Sequence, residues 1–271
     1  MVLPVHFPSF DSSNPRMSKL PEENRFIDVS DYGRPVAVRL VHYLLPTSLT
    51  SIHVTFAFLV AGILSMFALY EGYLISAALL LIIKNILDAA DGELARARAH
   101  PMLTGRYLDS IFDFFINLGI FYTLYVITEA SLILFIVSFI CLELQCSVFN
   151  YYYLIQRKRC NGDQTSNVDE FVTPVAFPYE SQRVVNILHK TYLVLYGLQD
   201  RFVMWLDGNA EEGCQFPNWF MTAVSFMGLG FQLLIIAILV SVGQFNWIMP
   251  FFTLYMLAGF GIILIRKIWM R

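Results

Sequence analysis

The chain has 271 residues, of which 57% are hydrophobic and only 14% are charged, whereas soluble domains average about 45–50% apolar and 25% charged residues. These values exclude an ordinary soluble globular protein and indicate that most of the chain lies in lipid. The formal net charge of -3 excludes the broad basic surface that nucleic acid requires, so we expect no nucleic-acid partner.

The first 48 residues are predicted to form a cytoplasmic N-terminal segment, because prolines and acidic residues interrupt the apolar core that a secretion signal would need. Within it, Asp31 to Leu45 begins with an Asp and a Pro in its first turn and then places Arg39 and His42 among apolar residues. This pattern is typical of a helix that lies in the plane of the membrane surface. An early start of the first membrane span is the alternative.

Six apolar runs are long enough to cross a bilayer as helices, which takes about 20 residues each. They are Leu49–Tyr70, Gly72–Ala90, Leu108–Ile127, Ala130–Ile155, Trp219–Val242 and Phe245–Trp269. The connections after the first, third and fifth runs contain no Lys or Arg. The positive-inside rule then places both termini and the other connections in the cytoplasm. The predicted fold class is all-α, a multi-pass membrane protein with six transmembrane helices.

A polar segment, residues 156–218, separates the fourth run from the fifth, so we expect four membrane helices in residues 49–155 and two in residues 219–271. Within the segment, Ser181 to Leu206 has apolar residues at helical spacing beside charged ones. This spacing predicts an amphipathic helix on the cytoplasmic surface. A connection of this length either covers a site or binds a partner.

Four aspartates lie where insertion into lipid costs about 2.5–3.5 kcal/mol for each charge. Asp88 and Asp91 end the second run and Asp109 and Asp113 begin the third, so each pair lies on one face of its helix. The two helices are antiparallel and joined by a short link, so the pairs can meet at one depth. Two divalent cations would balance four carboxylates, and oxygen ligands favour Mg²⁺ or Mn²⁺.

The residues between these pairs fit a ligand that carries phosphate. Gly92 and Ala95 let a diphosphate approach the helix backbone, and Gly105 opens the opposite side in the same way. Arg96 offers a guanidinium group that binds phosphate oxygens in a forked geometry. For the small residues, helix packing is the alternative.

Several other polar residues lie in or near the runs. Lys84 precedes Asp88 by one helical turn and is expected to form an ion pair with it. Asn117 is expected to bond to a neighbouring helix, whereas Glu143 and Gln145 are either functional or helix contacts. The cations at positions 157 to 159 would bind a phosphorylated acceptor or anionic lipid headgroups.

The stretch from Asp88 to Asp113 reads DAADGELARARAHPMLTGRYLDSIFD and fits D-x2-D-G-x2-A-R-x8-G-x3-D-x3-D at every fixed position. This stretch resembles the CDP-alcohol phosphotransferase (CDP-alcohol phosphatidyltransferase) family of integral membrane enzymes of phospholipid synthesis. The resemblance implies that an acceptor hydroxyl attacks the β-phosphate of a CDP-linked donor and that CMP leaves. It implies two metal ions on Asp88, Asp91, Asp109 and Asp113, with Asp113 also the general base, and a cytidine diphosphate lined by Gly92, Ala95, Arg96 and Gly105. A homodimer is also implied.

Two substrate assignments are open, and the first is CDP-diacylglycerol as the donor with a polar alcohol as the acceptor. The alternative is a CDP-choline-, CDP-ethanolamine- or CDP-inositol-like donor with diacylglycerol or a polyol phosphate as the acceptor. A cation-coupled transporter is the remote alternative, because carriers also use carboxylates within the membrane. The expected location is a bacterial inner membrane or an endomembrane, among membrane lipids, with the active site facing the cytoplasm.

Overall fold

The computed structural model describes residues 19–162, 166, 168, 170–212 and 215–270. Residues 1–18 of the predicted N-terminal segment therefore lie outside the described residues. Within the described part, the chain forms nine α-helices and four short 3-10 helices. The α-helices are α1 (Arg34–Leu44), α2 (Ser51–Tyr70), α3 (Leu74–Ala97), α4 (Leu103–Thr128), α5 (Leu132–Arg159), α6 (Gln182–Leu206), α7 (Asn218–Ser225), α8 (Leu229–Ser241) and α9 (Ile248–Trp269). The prediction of an all-helical fold is confirmed.

Four stretches of helix are long and apolar enough to cross a membrane: α2, α4, α5, and the run Phe245–Trp269 that contains α9. α7 and α8 together form a fifth candidate that is bent by 45° at its break. α3 has 24 residues, but Lys84, Asp88 and Asp91 interrupt its apolar sequence, so composition alone does not qualify it. The protein is therefore a multi-pass membrane protein with four or five candidate spans, where the sequence predicts six.

The observed helix ends differ from the predicted ones for identifiable reasons. α3 continues past Ala90 to Ala97, and α5 continues past Ile155 to Arg159. Both extensions place cations in the last turn, where they face the negative end of the helix dipole. The predicted fifth run breaks because Gly228 adopts an extended backbone with ψ 150° before α8 begins.

α6 packs against α4 and α5 and closes one side of the bundle. The hydroxyl of Tyr196 donates to the carbonyl oxygen of Ser110 on α4 at 2.7 Å. The opposite face of α6 is apolar and exposed, with Val194, Leu198 and Trp205 each more than three-quarters exposed. One face of α6 therefore packs on the bundle, and the opposite apolar face is exposed.

Glu180, far along the chain, caps the start of α4. Its Oε2 accepts the N–H of Leu103 at 3.0 Å and its Oε1 accepts the N–H of Thr104 at 2.7 Å. The first N–H groups of a helix otherwise lack partners. The ring of Tyr179 also stacks on His100, with ring centroids 3.9 Å apart. The connection before α6 therefore holds the link between α3 and α4 in place.

The 3-10 helix Val29–Asp31 packs on the start of α8. A Cβ atom at Gly230 would lie 1.8 Å from the carbonyl oxygen of Ser30, so this approach requires glycine. The N–H of Val29 donates to the hydroxyl of Ser225 at 3.0 Å. These contacts place residues 29–31 beside α7 and α8.

A buried ion pair joins α9 to the residue that follows α6. Arg266 Nε donates to Asp207 Oδ2 at 2.6 Å, and the hydroxyl of Tyr152 donates to the same oxygen at 2.7 Å. We expect Asp207→Ala to lower the free energy of unfolding by about 3–5 kcal/mol, because it leaves the Arg266 charge buried without its anion. Thermal unfolding in detergent micelles would show this as a lower midpoint.

The matched control for this prediction is Glu211→Ala. Glu211 pairs with Lys158 at 3.5 Å on the surface, and such exposed pairs contribute at most about 1 kcal/mol. Equal destabilisation by the two substitutions would contradict the prediction.

Candidate active site

A cavity of about 1190 Å³ lies among α3, α4, α5 and α6, and ligand pockets typically measure about 300–1,000 Å³. All eight fixed residues of the sequence pattern line it: Asp88, Asp91, Gly92, Ala95, Arg96, Gly105, Asp109 and Asp113. The structure therefore brings every predicted site residue to one cavity.

Three of the aspartates converge on one point of the cavity wall. Asp88, Asp91 and Asp109 each offer a carboxylate oxygen, and these oxygens lie within 4.8 Å of one another. Thr55, on α2, donates its hydroxyl to Asp91 Oδ2 at 2.6 Å. Asp109 Oδ1 is buried and has no hydrogen-bond partner among the described residues. Three close carboxylates with an unsatisfied oxygen fit a hard divalent cation.

Asp113 is not part of this group of three, and it is bound to a lysine. Its Oδ1 accepts a hydrogen bond from Lys84 Nζ, which also donates to Asp88 Oδ2 at 2.6 Å. The Lys84 side chain is fully buried, and its ammonium lies 4.7 Å from the ring centroid of Phe58. The predicted ion pair between Lys84 and Asp88 is confirmed, and the same ammonium also links α3 to α4.

The predicted donor-binding residues Gly92, Ala95, Arg96 and Gly105 all line the cavity. At Gly105, a Cβ atom would have no neighbour closer than 3.7 Å, so packing within the protein does not require glycine there. At Gly92, the nearest atoms to a Cβ belong to the Arg96 guanidinium, at 3.3 Å and beyond. Arg96 Nη2 lies 3.2 Å from Glu93 Oε1, and Arg34 on α1 donates to the same oxygen. Glu93 therefore helps to hold Arg96 on the wall.

Beyond Asp113, the cavity continues between α4, α5 and α6. We refer to this part as the inner lobe, and its residues are Asn117, Glu143, Ser147, Tyr192, Tyr196 and Asp200. Asn117 Nδ2 donates to Glu143 Oε1 at 2.9 Å, which confirms the predicted contact with a neighbouring helix. Ser147 Oγ donates to Asp200 Oδ1 at 2.9 Å, and the Tyr192 hydroxyl donates to Asp200 Oδ2 at 3.1 Å.

The remaining polar residues singled out in the sequence have separate places. Gln145 donates to the carbonyl oxygen of Phe252 at 2.9 Å and is a helix contact. Of the three successive cations, only Arg157 lines the cavity. Lys158 pairs with Glu211 on the surface, and the Arg159 guanidinium lies 4.6 Å from the ring centroid of Phe216.

Sequence reasoning missed several residues that contribute to the site. Thr55 lies in an apolar run with no periodic signal, and Glu93 occupies a variable position of the pattern. Glu170 binds Arg106 at 2.5 Å from a connection more than 60 residues away, a pairing that no local pattern reveals. Among these residues, only Asp200 could have been identified from the sequence, because it is a carboxylate among the apolar residues of a predicted helix.

The sequence model of the CDP-alcohol phosphatidyltransferase family matches residues 43–207, more than half of the chain. No curated protein and no solved structure matches the chain. The matched range includes all four aspartates and runs from the end of α1 to the residue after α6. The chain therefore belongs to the CDP-alcohol phosphatidyltransferase family, membrane enzymes that transfer substituted phosphate groups from CDP-linked donors to alcohols.

Proposed function

We propose that this protein transfers a phosphatidyl group from CDP-diacylglycerol to the hydroxyl of a polar alcohol and releases CMP. The observation that carries this proposal is the meeting of the Asp88, Asp91 and Asp109 carboxylates on one wall of a large cavity. Gly92, Arg96 and Gly105 lie along the same cavity. Anion-binding and cation-binding groups side by side suit a metal-bound diphosphate.

The proposal includes two divalent cations, Mg²⁺ or Mn²⁺. Asp88, Asp91 and Asp109 would hold the first, and a second would also require the Asp113 carboxylate. When bound, such ions offset the charge of the diphosphate and lower the pKa of a nearby hydroxyl. The unsatisfied Asp109 Oδ1 supports this assignment, because a cation would provide its missing partner.

In this proposal, the residues that line the site have the following roles. Arg96 binds the donor phosphates, while Gly92, Ala95 and Gly105 let the diphosphate approach the backbone. Asp113 accepts the proton of the acceptor hydroxyl as the general base. Lys84 acts through Asp113, because its ammonium keeps that carboxylate oriented at the cavity wall.

For the membrane layout, we propose α3 as the additional span, giving six, with both termini and the cavity mouth facing the cytoplasm. In support, α3 packs against α1, α2 and α8. Of its charged residues, Asp88, Asp91, Glu93 and Arg96 line the cavity, and Lys84 is buried. The cation-free connections after α2, α4 and α8 support the orientation. We also propose a homodimer, on the strength of family membership.

A second candidate is transfer from a CDP-linked polar alcohol to diacylglycerol or a polyol phosphate, since the pattern reads only the cytidine diphosphate. Three arginines that line the cavity support this candidate: Arg34, Arg96 and Arg157. Guanidinium groups bind phosphate, so they could hold the phosphate of a polyol phosphate acceptor. Family membership disfavours the transporter alternative.

The test uses the purified full chain in lipid vesicles, with CMP release measured from CDP-diacylglycerol and a panel of alcohols. We expect release to require Mg²⁺ or Mn²⁺ and to stop in EDTA. Asp88→Asn should raise the metal concentration for half-maximal rate by at least about tenfold, because even indirect support of a metal site has effects of this size. Glu71→Gln, the same chemical change on the exposed end of α2, is the control. An unchanged metal requirement in Asp88→Asn would contradict the ligand assignment.

A further inference from the structure

We propose that the outer face of α6, the side turned away from α4 and α5, binds anionic phospholipids of the surrounding membrane. α6 packs on α4 and α5, two helices that are long and apolar enough to cross a bilayer. Tyr196 bonds to Ser110 in the first third of α4, and Asp200 bonds to Ser147 in the last half of α5. α6 therefore lies beside one end of these spans, near a membrane surface.

Three cations form a row along the outer face: Arg183, Lys190 and Arg201. Their spacings of 7 and 11 residues each return an α-helix to within about 20° of the same direction. All three residues are exposed, and none of them forms an ion pair among the residues that the structure describes. Such cations can bind the phosphate groups of lipid headgroups.

A row of apolar side chains runs beside the cations. Ile187, Val194, Leu198 and Trp205 are between 63% and 84% exposed. At about 100° per residue, the mean direction of this row differs from that of the cations by about 50°. Adjacent cationic and apolar edges are typical of a helix at the membrane interface, where the cations reach the headgroups and the apolar side chains enter the acyl region.

The order of the two rows agrees with the position of the membrane. The Arg201 guanidinium lies 3.9 Å from the ring centroid of Phe171, and a Cβ atom at Gly197 would lie 3.4 Å from the same ring. The connection that contains Phe171 therefore lies on the cationic side of α6, and it also caps the start of α4. Val184 and Phe202 extend the apolar row on the opposite side. The sequence of connection, cations and apolar row matches that of water, headgroups and acyl chains.

A second copy of the chain matches this face less well than lipid does. In a twofold contact the same surface faces itself. The cation row would then lie against the cations of the other copy or against its apolar row, and both arrangements are unfavourable. Anionic headgroups and acyl chains match both rows at once.

Lipid on the outer face would also hold one wall of the catalytic cavity. Tyr192, Tyr196 and Asp200 lie on the opposite face of α6 and line the cavity. Arg183 and Arg201 are separated by about 27 Å along the helix axis, so the row spans several headgroups. These headgroups fix both ends of α6 at the membrane surface.

The test uses the full chain in vesicles of phosphatidylcholine and phosphatidylglycerol, with the fluorescence of Trp205 as the probe. Brominated acyl chains quench tryptophan on contact, and the bromine is placed on one lipid class or on the other. The difference between wild type and Trp205→Phe isolates this signal from those of the other three tryptophans. Arg201 lies one turn from Trp205, and one cation near an anionic surface contributes about fivefold to binding. We therefore expect half-maximal quenching at about fivefold lower mole fraction of brominated phosphatidylglycerol than of brominated phosphatidylcholine.

A variant that combines Arg183→Gln, Lys190→Gln and Arg201→Gln should reduce this preference to less than about twofold. Quenching by brominated phosphatidylcholine should stay unchanged, because the apolar row remains. In the wild type, about 0.5 M NaCl should reduce the preference in the same way, since salt screens exposed charges. The control removes the same charge from three other exposed positions: Arg39→Gln, Lys158→Gln and Lys267→Gln.

Each contrary outcome has a distinct meaning. Equal quenching of the wild type by the two brominated lipids, or a preference that persists in the triple variant, would overturn the lipid assignment. Absence of quenching by either lipid would overturn it as well and would assign the outer face to a protein partner. Absence of CMP release in the same vesicles would contradict the proposed function but not the lipid surface, because quenching does not require turnover.

Discussion

Asp113→Asn is expected to lower the kcat of CMP release by about 10²–10⁴-fold, the usual contribution of a general base. The amide cannot take the proton of the acceptor hydroxyl. It retains an oxygen that can accept the hydrogen bond from Lys84, so the link between α3 and α4 should persist. Because Arg96 and the three aspartates that would hold the first cation are unchanged, the KM for the CDP donor should change much less than kcat. Steady-state kinetics of CMP release with purified protein in vesicles gives both constants.

The control for this prediction is Glu129→Gln, the same carboxylate-to-amide change at the exposed C-terminal end of α4. It should leave both constants unchanged. If Asp113→Asn retained wild-type turnover, Asp113 would not be the base. A large rise in donor KM with unchanged kcat would assign Asp113 to donor binding instead.

Lys84→Met is expected to make the stability of the protein depend on divalent cations. The buried ammonium of Lys84 is bound to Asp88 and Asp113, so its loss leaves two carboxylates without compensation. Removing one partner of a buried ion pair costs about 3–5 kcal/mol. We therefore expect a lower thermal midpoint in EDTA and a recovery in millimolar Mg²⁺, because an ion that binds only the folded state stabilises it.

Thermal unfolding of the variant in EDTA and in Mg²⁺ measures this difference directly. Lys190→Met makes the same substitution at an exposed position of α6 and should show no dependence on Mg²⁺ beyond that of wild type. If Lys84→Met were as stable as wild type in EDTA, the Lys84 ammonium would not be needed to compensate the charges of Asp88 and Asp113, and the prediction would be wrong.

The helices could be predicted from the sequence because each has its own periodicity and length. Ser181 to Leu206 differs by one residue from α6, and the last predicted run coincides with the candidate span Phe245–Trp269. The failures have physical reasons. The break at Gly228 lies inside a run that is apolar throughout, where hydropathy carries no signal for a bend. The predicted second run stops at Ala90, whereas α3 continues to Ala97. A search for apolar runs stops at the charged residues of these last turns, but they can continue the helix because they line the cavity and do not contact lipid.

The sequence predicts those parts of the site in which the residues lie on the same helix. The spacing of Asp88 and Asp91, or of Asp109 and Asp113, places each pair on one face. How the two faces meet depends on the rotation of one helix against the other, which no spacing encodes. In the structure, Asp109 lies close to Asp88 and Asp91, whereas Asp113 is bound to Lys84. The inner lobe was missed for the same reason, because Asp200 approaches from a different part of the chain.

The cap that Glu180 provides for α4 links the eight-residue pattern to a region of the chain that lies outside it. The two hydrogen bonds span 77 and 76 positions of the chain, and Gly105, Asp109 and Asp113 follow within the next turns of the same helix. Shortening or lengthening the stretch around residues 170–181 would therefore shift the start of α4 and tilt its aspartates. Sequence changes in this connection can therefore alter the catalytic rate even when the eight residues of the pattern are unchanged.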